Sequence, residues 1–163
     1  MRTMKTRSGR EPLGAMTTLY QMHYRPLVRL AALLVSDLAT AEDIVQDSFA
    51  AAHGIWDSLP DTDAALSYLR RSVVRGSRSA PCAQLADVPP QGSAVVSALR
   101  ALPVRQREVL VLRYFADLPE AEIASATGIS RAAVRSHAAR AMSSLHDELR
   151  PLGDRVRPSR RAR

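Results

Sequence analysis

The feature that most constrains this chain is the spacing of its apolar residues, which recur every three or four positions through most of its 163 residues. Between Met16 and Val35 this spacing places Tyr20, Tyr24 and Leu27 on one face of a helix. Few stretches alternate apolar with polar residues or are rich in β-branched residues, as strands require. The sequence therefore predicts an all-α fold.

Three helices are predicted in the first half of the chain. The first runs from Met16 to Val35, the second from about Thr40 to Trp56, and the third from about Asp63 to Arg78. Asp37 ends the first run and is placed to help start the second helix, because aspartate is a preferred N-cap residue. These three helices are expected to form one small domain.

The segment from Ala80 to Ser93 contains three prolines and no apolar periodicity, which is typical of a flexible linker. Beyond it, Leu99 and Leu102 precede a helix that is predicted from Pro103 to about Phe115. A short helix to about Thr127 and a last helix from Ser130 to Leu149 follow. We therefore predict two small helical domains, at residues 16–79 and 94–149, a linker at 80–93, and tails at 1–15 and 150–163.

The net charge of the chain is +7, and this excess of basic residues favours a polyanionic partner. Most of the excess lies in the tails. Four basic residues against one acidic residue give residues 1–15 a net charge of +3, and six against one give residues 150–163 a net charge of +5. We therefore expect the tails to provide salt-sensitive attraction to phosphate, while the near-neutral domains contact DNA through local clusters of arginine.

Two classes of protein are excluded by what the sequence lacks. The longest apolar run, from Leu30 to Val35, is far shorter than the ~20 residues that span a bilayer. No apolar segment of a secretory signal follows the basic residues at the N-terminus. Cys82 is the only cysteine, so neither an intramolecular disulfide nor a thiolate metal cage can form. We expect a cytoplasmic protein without membrane insertion.

The residue types that perform catalysis or bind metals are scattered along the chain. The four histidines show no metal-binding spacing, and neither a nucleophile elbow nor a phosphate-binding glycine loop is present. We therefore predict no enzyme activity, no catalytic residue, no metal, no cofactor and no small-molecule substrate.

The stretch from Glu122 to His137 has the pattern of a helix-turn-helix. Ala124 provides a small residue where two helices touch, and Gly128 tolerates a positive φ at the turn. Ile129 and Val134 are apolar residues that lock the second helix against the first. An ordinary helical hairpin with solvated arginines is the alternative, but the spacing, the cap and the basic face together favour DNA binding. The predicted DNA-binding residues are Ser130, Arg131, Val134, Arg135, Ser136, His137 and Arg140.

Longer stretches of the chain resemble bacterial extracytoplasmic-function sigma factors, of the sigma-E-like actinobacterial type. Region four of that family is similar to LPVRQREVLVLRY at residues 102–114 and to the helix-turn-helix that follows. Region two is similar to AEDIVQDSF at residues 41–49 and to ALSYLRRSVV at residues 65–74. The resemblance covers about residues 16–79 and 94–149, with both regions in the order of the family.

The resemblance implies an alternative sigma factor that binds core RNA polymerase, directs it to promoters and promotes initiation. It implies that the loop from Asp57 to Ala64 captures a flipped base of the minus-ten element, and that the last helix reads the minus-thirty-five element. Promoter DNA and core polymerase are the implied partners, with an anti-sigma factor as a further candidate. The implied polymerase-binding residues are Asp43, Gln46, Asp47 and Phe49, and the implied minus-ten residues are Tyr68, Arg70, Arg71 and Arg75.

Two other functions remain open at this point. A stand-alone DNA-binding regulator would need only the C-terminal helix-turn-helix, although the N-terminal half lacks the alternating strands of a receiver domain. A sigma-like interaction protein would bind polymerase or an inhibitor and melt promoters poorly. The second alternative is motivated by the basic run after Arg75, which is shorter than the family pattern, and by Gly76, which weakens the end of its helix.

Overall fold

A computed structural model describes residues 12–35, 37–80 and 94–156. Within these ranges the chain forms seven α-helices, one short 3₁₀ turn and no strand, which confirms the predicted all-α fold. No helix in the described ranges combines the length and the hydropathy of a transmembrane segment. Most of the predicted linker and the outer parts of both predicted tails lie outside the described residues.

The N-terminal module contains α1 (Pro12–Leu34), α2 (Leu38–Gly54) and α3 (Thr62–Ser79), with the 3₁₀ turn Trp56–Ser58 before α3. A carboxylate caps each of the last two helices. Asp37 accepts a hydrogen bond from the Thr40 N–H at 2.7 Å, which confirms its predicted capping role. Asp61 accepts one from the Ala64 N–H at 2.8 Å.

The first helix begins earlier than the sequence pattern predicts. It starts at Pro12 rather than at Met16, so residues 12–15 belong to α1 and not to the N-terminal tail. Proline suits this position because its fixed φ matches a helix, and its missing N–H would be unpaired in a first turn in any case.

The C-terminal module contains α4 (Ala94–Ala101), α5 (Val104–Tyr114), α6 (Glu120–Thr127) and α7 (Arg131–Val156). The last helix continues past the predicted end at Leu149, so residues 150–156 are helical rather than part of a tail. Pro151 does not end α7, just as Pro26 does not end α1. A proline inside a helix removes one backbone hydrogen bond, and the neighbouring bonds maintain the helix.

The two modules pack against each other around a hydrophobic cluster to which both contribute, and a second, smaller cluster lies among α4, α5 and α7. Helix α1 contacts α4 and α5, and α3 contacts α6. Fully buried side chains of both modules belong to the same cluster, including Leu69 and Val73 of α3 and Ile123 of α6. Burial of each such side chain is worth roughly 1.5–3 kcal/mol. The sequence predicts two small helical domains joined by a linker, and in the structure buried side chains of both modules contribute to this shared cluster.

Gly76 allows α3 to approach α2 closely. A Cβ atom at Gly76 would lie 2.8 Å from Cγ2 of Ile44, closer than two carbon atoms can pack. A glycine inside a helix costs about 1 kcal/mol relative to alanine, so the close helix contact accounts for a residue that weakens α3 locally.

Candidate nucleic-acid interface

Helix α6, a short turn and α7 form the predicted helix-turn-helix. Gly128 has a φ of +70°, which is the left-handed conformation expected at this turn. The N–H groups of Gly128 and Ile129 both donate to the Ala124 carbonyl and so close the end of α6. The Ser130 hydroxyl accepts a hydrogen bond from the Ala133 N–H at 3.1 Å, which confirms the predicted cap of α7.

Replacing Gly128 with alanine is expected to lower the free energy of unfolding by about 1–2 kcal/mol, the cost of a left-handed conformation for a residue with a Cβ. No atom lies within 4 Å of the new Cβ position, so backbone strain is the only penalty. Urea denaturation measures the change. As a matched control, Gly14→Ala in α1 also meets open space, and it should raise the stability by up to about 1 kcal/mol. Destabilisation of both variants to the same extent would contradict the explanation.

Helix α7 exposes most of the residues that the sequence assigns to the minus-thirty-five element. Val134 is different, because it is fully buried in the shared core. A side chain without exposed surface cannot contact DNA, so the predicted contact of Val134 is wrong, and its role is to position α7. His137 is half-buried, and its Nδ1 atom has no hydrogen-bond partner among the described residues. The exposed members of the set are Ser130, Arg131, Arg135, Ser136 and Arg140.

Glu120 at the start of α6 holds the side chain of Arg135. The Arg135 Nη1 atom lies 3.0 Å from Glu120 Oε2, and Arg113 approaches the other carboxylate oxygen at 3.8 Å. Because the Arg135 side chain is 60% exposed, this ion pair contributes less than about 1 kcal/mol. A phosphate or a base edge could therefore displace Glu120 at little cost.

Helix α3 presents the predicted minus-ten residues in three different environments. Arg71 and Arg75 are exposed. Tyr68 is half-buried against the core, and the Arg71 guanidinium lies 5.8 Å from the centre of its ring, in cation–π geometry. Arg70 is engaged by the other module, because its Nη1 atom lies 3.2 Å from Oε2 of Glu122 in α6. Two of the three arginines are therefore displayed to solvent.

The predicted base-capturing loop, Asp57 to Ala64, is short and partly helical. It contains the end of the 3₁₀ turn and the first residues of α3. Leu59 anchors it by packing against the core, while Asp57 and Pro60 are exposed. The position next to the start of α3 places this loop on the same module as the exposed arginines.

His23 of α1 lies in an environment that favours the neutral form of its imidazole. Partial burial, together with the positive charge of Arg70, lowers the pKa of His23 below its usual value of 6.5. The unfolded chain therefore binds a proton at a higher pH than the folded chain does. The lowered pKa has little effect on stability well above pH 6.5. As the pH falls from about 6.5 through the lower, folded-state pKa, it progressively decreases the free energy of unfolding.

We therefore expect the wild-type chain to lose more stability than His23→Gln between about pH 7.5 and about pH 5.5, because glutamine does not titrate. Urea denaturation at the two pH values measures the difference. An equal loss in the two proteins would show that His23 does not contribute to the pH dependence.

Helix α2 exposes Asp43, Gln46 and Asp47, the residues assigned to polymerase binding. The two aspartates line a groove between α2 and α3. Phe49 is different, because it is only 6% exposed and its ring centroid lies 5.0 Å from that of Tyr20. This aromatic contact joins α1 to α2. The predicted docking role of Phe49 is therefore contradicted by its burial, and the side chain serves packing.

The sequence patterns do not predict the polar contacts that join the two modules. Glu108 is 2% exposed and accepts hydrogen bonds from Arg78 and Arg105. The visible signal is that Glu108 directly precedes the apolar run Val109 to Leu112, all four residues of which are buried. Its partner Arg78 is 30 residues away in the chain, so local spacing does not reveal the pair.

Known protein families match both modules. The family described as Sigma-70 region 2 matches residues 19–80, and the family described as Sigma-70, region 4 matches residues 93–145. The chain is 31% identical to the RNA polymerase sigma-E factor of Streptomyces coelicolor over 140 residues, or 76% of this chain and 79% of the relative. It is 33% identical over 147 residues to the ECF RNA polymerase sigma factor SigM of Mycobacterium tuberculosis, which covers 80% of this chain and 75% of SigM.

Two solved structures have a fold similar to that of this chain. CnrH, in complex with the cytosolic domain of CnrY, matches with a TM-score of 0.65 and 26% identity, over 90% of this chain and 96% of CnrH. Sigma factor RpoE, in complex with the anti-sigma factor NepR from Bartonella quintana, has a similar fold, with a TM-score of 0.63 and 24% identity over 82% of this chain and 96% of RpoE. The chain therefore belongs to the extracytoplasmic-function sigma factors, the alternative sigma factors that bind RNA polymerase and direct transcription initiation.

Proposed function

We propose that this sigma factor contacts its partners through three surfaces, one each on α2, α3 and α7. The observation that carries the proposal is the geometry of the helix-turn-helix. Ser130 caps α7, and burial of Val134 turns Arg131 and Arg135 towards solvent. The exposed N-terminal half of such a helix fits the major groove, where arginine is the residue that most often reads guanine. We assign this surface to the minus-thirty-five element.

The exposed acids of α2 are the surface that we assign to core polymerase. Asp43, Gln46 and Asp47 lie on successive turns of α2, and all three are exposed. Carboxylates at an interface rim steer a basic partner surface and determine the orientation of docking. Because the partner is polymerase, we assign the protein to the bacterial cytoplasm.

Replacing Asp43 with alanine is expected to weaken association with core polymerase about fivefold to tenfold, with the loss decreasing as salt screens the charge. The sequence preference for promoter DNA should not change, because α2 is separate from α7. Fluorescence titration of labelled protein with core polymerase measures the affinity. The control Asp147→Ala removes a carboxylate that is also exposed, from α7, and should leave the affinity unchanged. Equal affinities of wild type and Asp43→Ala would remove α2 from the interface.

The minus-ten strand is assigned to α3 and to the loop before it. Arg71 and Arg75 are exposed one turn apart, a spacing that suits successive phosphates of a single strand. Strand opening in this proposal is driven by binding energy on unpaired bases, and no bond is made or broken by this chain. Among the described residues, no cluster of His, Cys, Asp and Glu is arranged to hold a metal ion.

The remaining assignments concern the domain limits and a regulatory partner. We propose that residues 16–79 and 94–149 act as the two functional domains, with residues 80–93 as the connection and the basic tails as generic contacts to phosphate. Two structurally similar proteins were solved with a bound protein, one of them with an anti-sigma factor. We propose a regulatory protein of that class as a partner of this chain too.

Run-off transcription with core polymerase and a genomic promoter library tests the function. The expected result is a set of transcripts that start at related promoters and depend on this chain. Core binding without specific transcripts would favour a sigma-like interaction protein. Specific DNA binding without core binding would favour a stand-alone regulator.

A further inference from the structure

Glu120 brings a negative charge to the exposed surface of the helix-turn-helix. It is the first residue of α6, and its Oε2 atom accepts a hydrogen bond from Arg135 Nη1 of α7 at 3.0 Å. Arg113, in the last turn of α5, lies 3.8 Å from the other carboxylate oxygen. We call Arg113, Glu120 and Arg135 the Glu120 bridge. Three helices therefore meet at one carboxylate.

The bridge keeps the carboxylate of Glu120 in place independently of Arg135. A negative charge in the first turn of a helix is stabilised by the positive end of the helix dipole. The Glu120 side chain is only 28% exposed, and Arg113 remains as a second basic neighbour. When Arg135 contacts another partner, the negative charge of Glu120 therefore stays beside it.

Arg135 differs in this respect from the other arginines of α7 that we assign to DNA. Arg131 and Arg140 are exposed, and neither forms an ion pair with an acid in the described part of the chain. Arg135 is also exposed, yet it has a carboxylate at 3.0 Å. The three arginines are equivalent in residue type, and the structure distinguishes them by their neighbours.

The contact with Glu120 leaves one edge of the Arg135 guanidinium unused. Glu120 accepts from Nη1, whereas Nε and Nη2 form a separate edge with two parallel N–H donors. That edge matches the N7 and O6 acceptors of guanine, which form the commonest specific contact of arginine in the major groove. A guanine can therefore bind Arg135 without displacing Glu120.

A phosphate at the same edge of Arg135 would meet a different environment. It is anionic and would be repelled by the neighbouring carboxylate, whereas the edge of guanine carries no net charge. The Glu120 bridge as a whole has a charge of +1, because one carboxylate offsets one of the two guanidinium groups. Without Glu120 the same place would have a charge of +2, which favours a phosphate.

We propose that Glu120 is a positioning residue that directs Arg135 to a guanine and keeps it away from phosphates. The inference rests on the proposed contact of Arg135 with the minus-thirty-five element. It adds the reason why Arg135, rather than Arg131 or Arg140, distinguishes one base pair from another. Placing a like charge beside the wrong partner is a general source of specificity.

The test uses Glu120→Gln in the full chain, assembled with core polymerase. Glutamine removes the negative charge and keeps the length of the side chain and one acceptor oxygen for Arg135. Competition binding to promoter duplexes with single base-pair changes should show about threefold to tenfold less discrimination at the position that Arg135 reads. Binding to a duplex without the minus-thirty-five element should tighten. Its log–log dependence on salt should become steeper by about one, because Arg135 gains a phosphate.

Two further variants separate the effect of charge from a structural role. Glu120→Asp keeps the negative charge on a shorter side chain and should retain most of the discrimination. Glu148→Gln removes an exposed carboxylate further along α7 and measures the generic gain in DNA affinity. It should leave the base discrimination and the salt dependence unchanged. Because glutamine and glutamate have nearly the same shape, Glu120→Gln should fold, and circular dichroism checks its helix content.

Equal discrimination in wild type and Glu120→Gln would overturn the inference. A loss of discrimination without a steeper salt dependence would also overturn it, because Arg135 would not have moved to a phosphate. So would an equal loss in Glu120→Asp, because the charge would then not be what matters.

The proposed function fails separately. Absence of specific run-off transcripts from the wild type would contradict the sigma factor activity itself. Normal run-off, with a base preference that Arg135→Ala removes and Glu120→Gln does not, would contradict only the role of Glu120. If Arg135→Ala removes no base preference, both the assignment of Arg135 and the role of Glu120 are wrong.

Discussion

Truncation of Ile123 to alanine is expected to lower the free energy of unfolding by about 2–5 kcal/mol. Ile123 is fully buried in the core that both modules share, so the variant loses the transfer energy of its methyl and methylene groups and leaves a cavity. The loss is a large fraction of the 5–15 kcal/mol that typically stabilises a domain. Urea denaturation followed by circular dichroism measures it.

The same substitution should weaken specific binding to promoter DNA at temperatures where the chain is still folded. Helix α6 is the support on which α7 rests, and a cavity beneath it loosens the orientation of the exposed arginines. The control Ala121→Gln changes an exposed residue of the same helix and should alter stability by no more than about 0.5 kcal/mol. A loss below about 1 kcal/mol in Ile123→Ala would show that the core around α6 refills the space.

Replacing Arg135 with alanine is expected to cost about 1–3 kcal/mol at one base pair of the minus-thirty-five element. That energy corresponds to roughly a 5-fold to 150-fold loss of discrimination. Loss of the weak, exposed ion pair with Glu120 changes this cost little, because the Arg135 side chain is already largely hydrated. Competition binding of the holoenzyme to duplexes that differ at single positions measures the effect. The preference at one position should disappear, and preferences elsewhere should remain.

Arg140→Ala is the matched comparison for Arg135→Ala. Arg140 lies further along α7 and is also exposed, and we expect it to contact the DNA backbone. Its removal should weaken binding to all sequences equally and reduce the salt dependence. If Arg135→Ala also weakens all duplexes equally, then Arg135 contacts a phosphate and does not read a base.

Local features of the fold are predictable from the sequence with few errors. The caps at Asp37 and Ser130 and the left-handed glycine at Gly128 are formed as expected. Each of these features depends on hydrogen bonds between residues three or four positions apart, and such bonds are determined by the residues present at those positions. The observed helix limits differ from the predicted ones mainly at Pro12 and beyond Leu149. Proline is compatible with the first turn of a helix, and the last turn of a helix frays, so local sequence does not fix either limit.

Membership of a functional motif does not determine whether a side chain is exposed or buried after the helices pack. Phe49 lies in the stretch that resembles the polymerase-binding region, and Val134 lies in the predicted recognition helix, yet both are buried. Their neighbours Asp47 and Arg135 are exposed. Apolar side chains in a functional motif usually hold the helix in position while the polar side chains contact the partner.

The sequence by itself determined that this chain is helical, that it contains a capped helix-turn-helix, and that its two regions resemble those of extracytoplasmic-function sigma factors. The first two properties follow from periodicity and from local capping, which act over three or four residues, and the third follows from the motifs at residues 41–49, 65–74 and 102–114. Only the tertiary structure decided that the two modules share a core and that Glu108 and Glu122 pair with arginines of α3. Such pairs join residues 30 and 52 positions apart. Burial and charge compensation over that distance depend on how the helices pack, which no local pattern encodes.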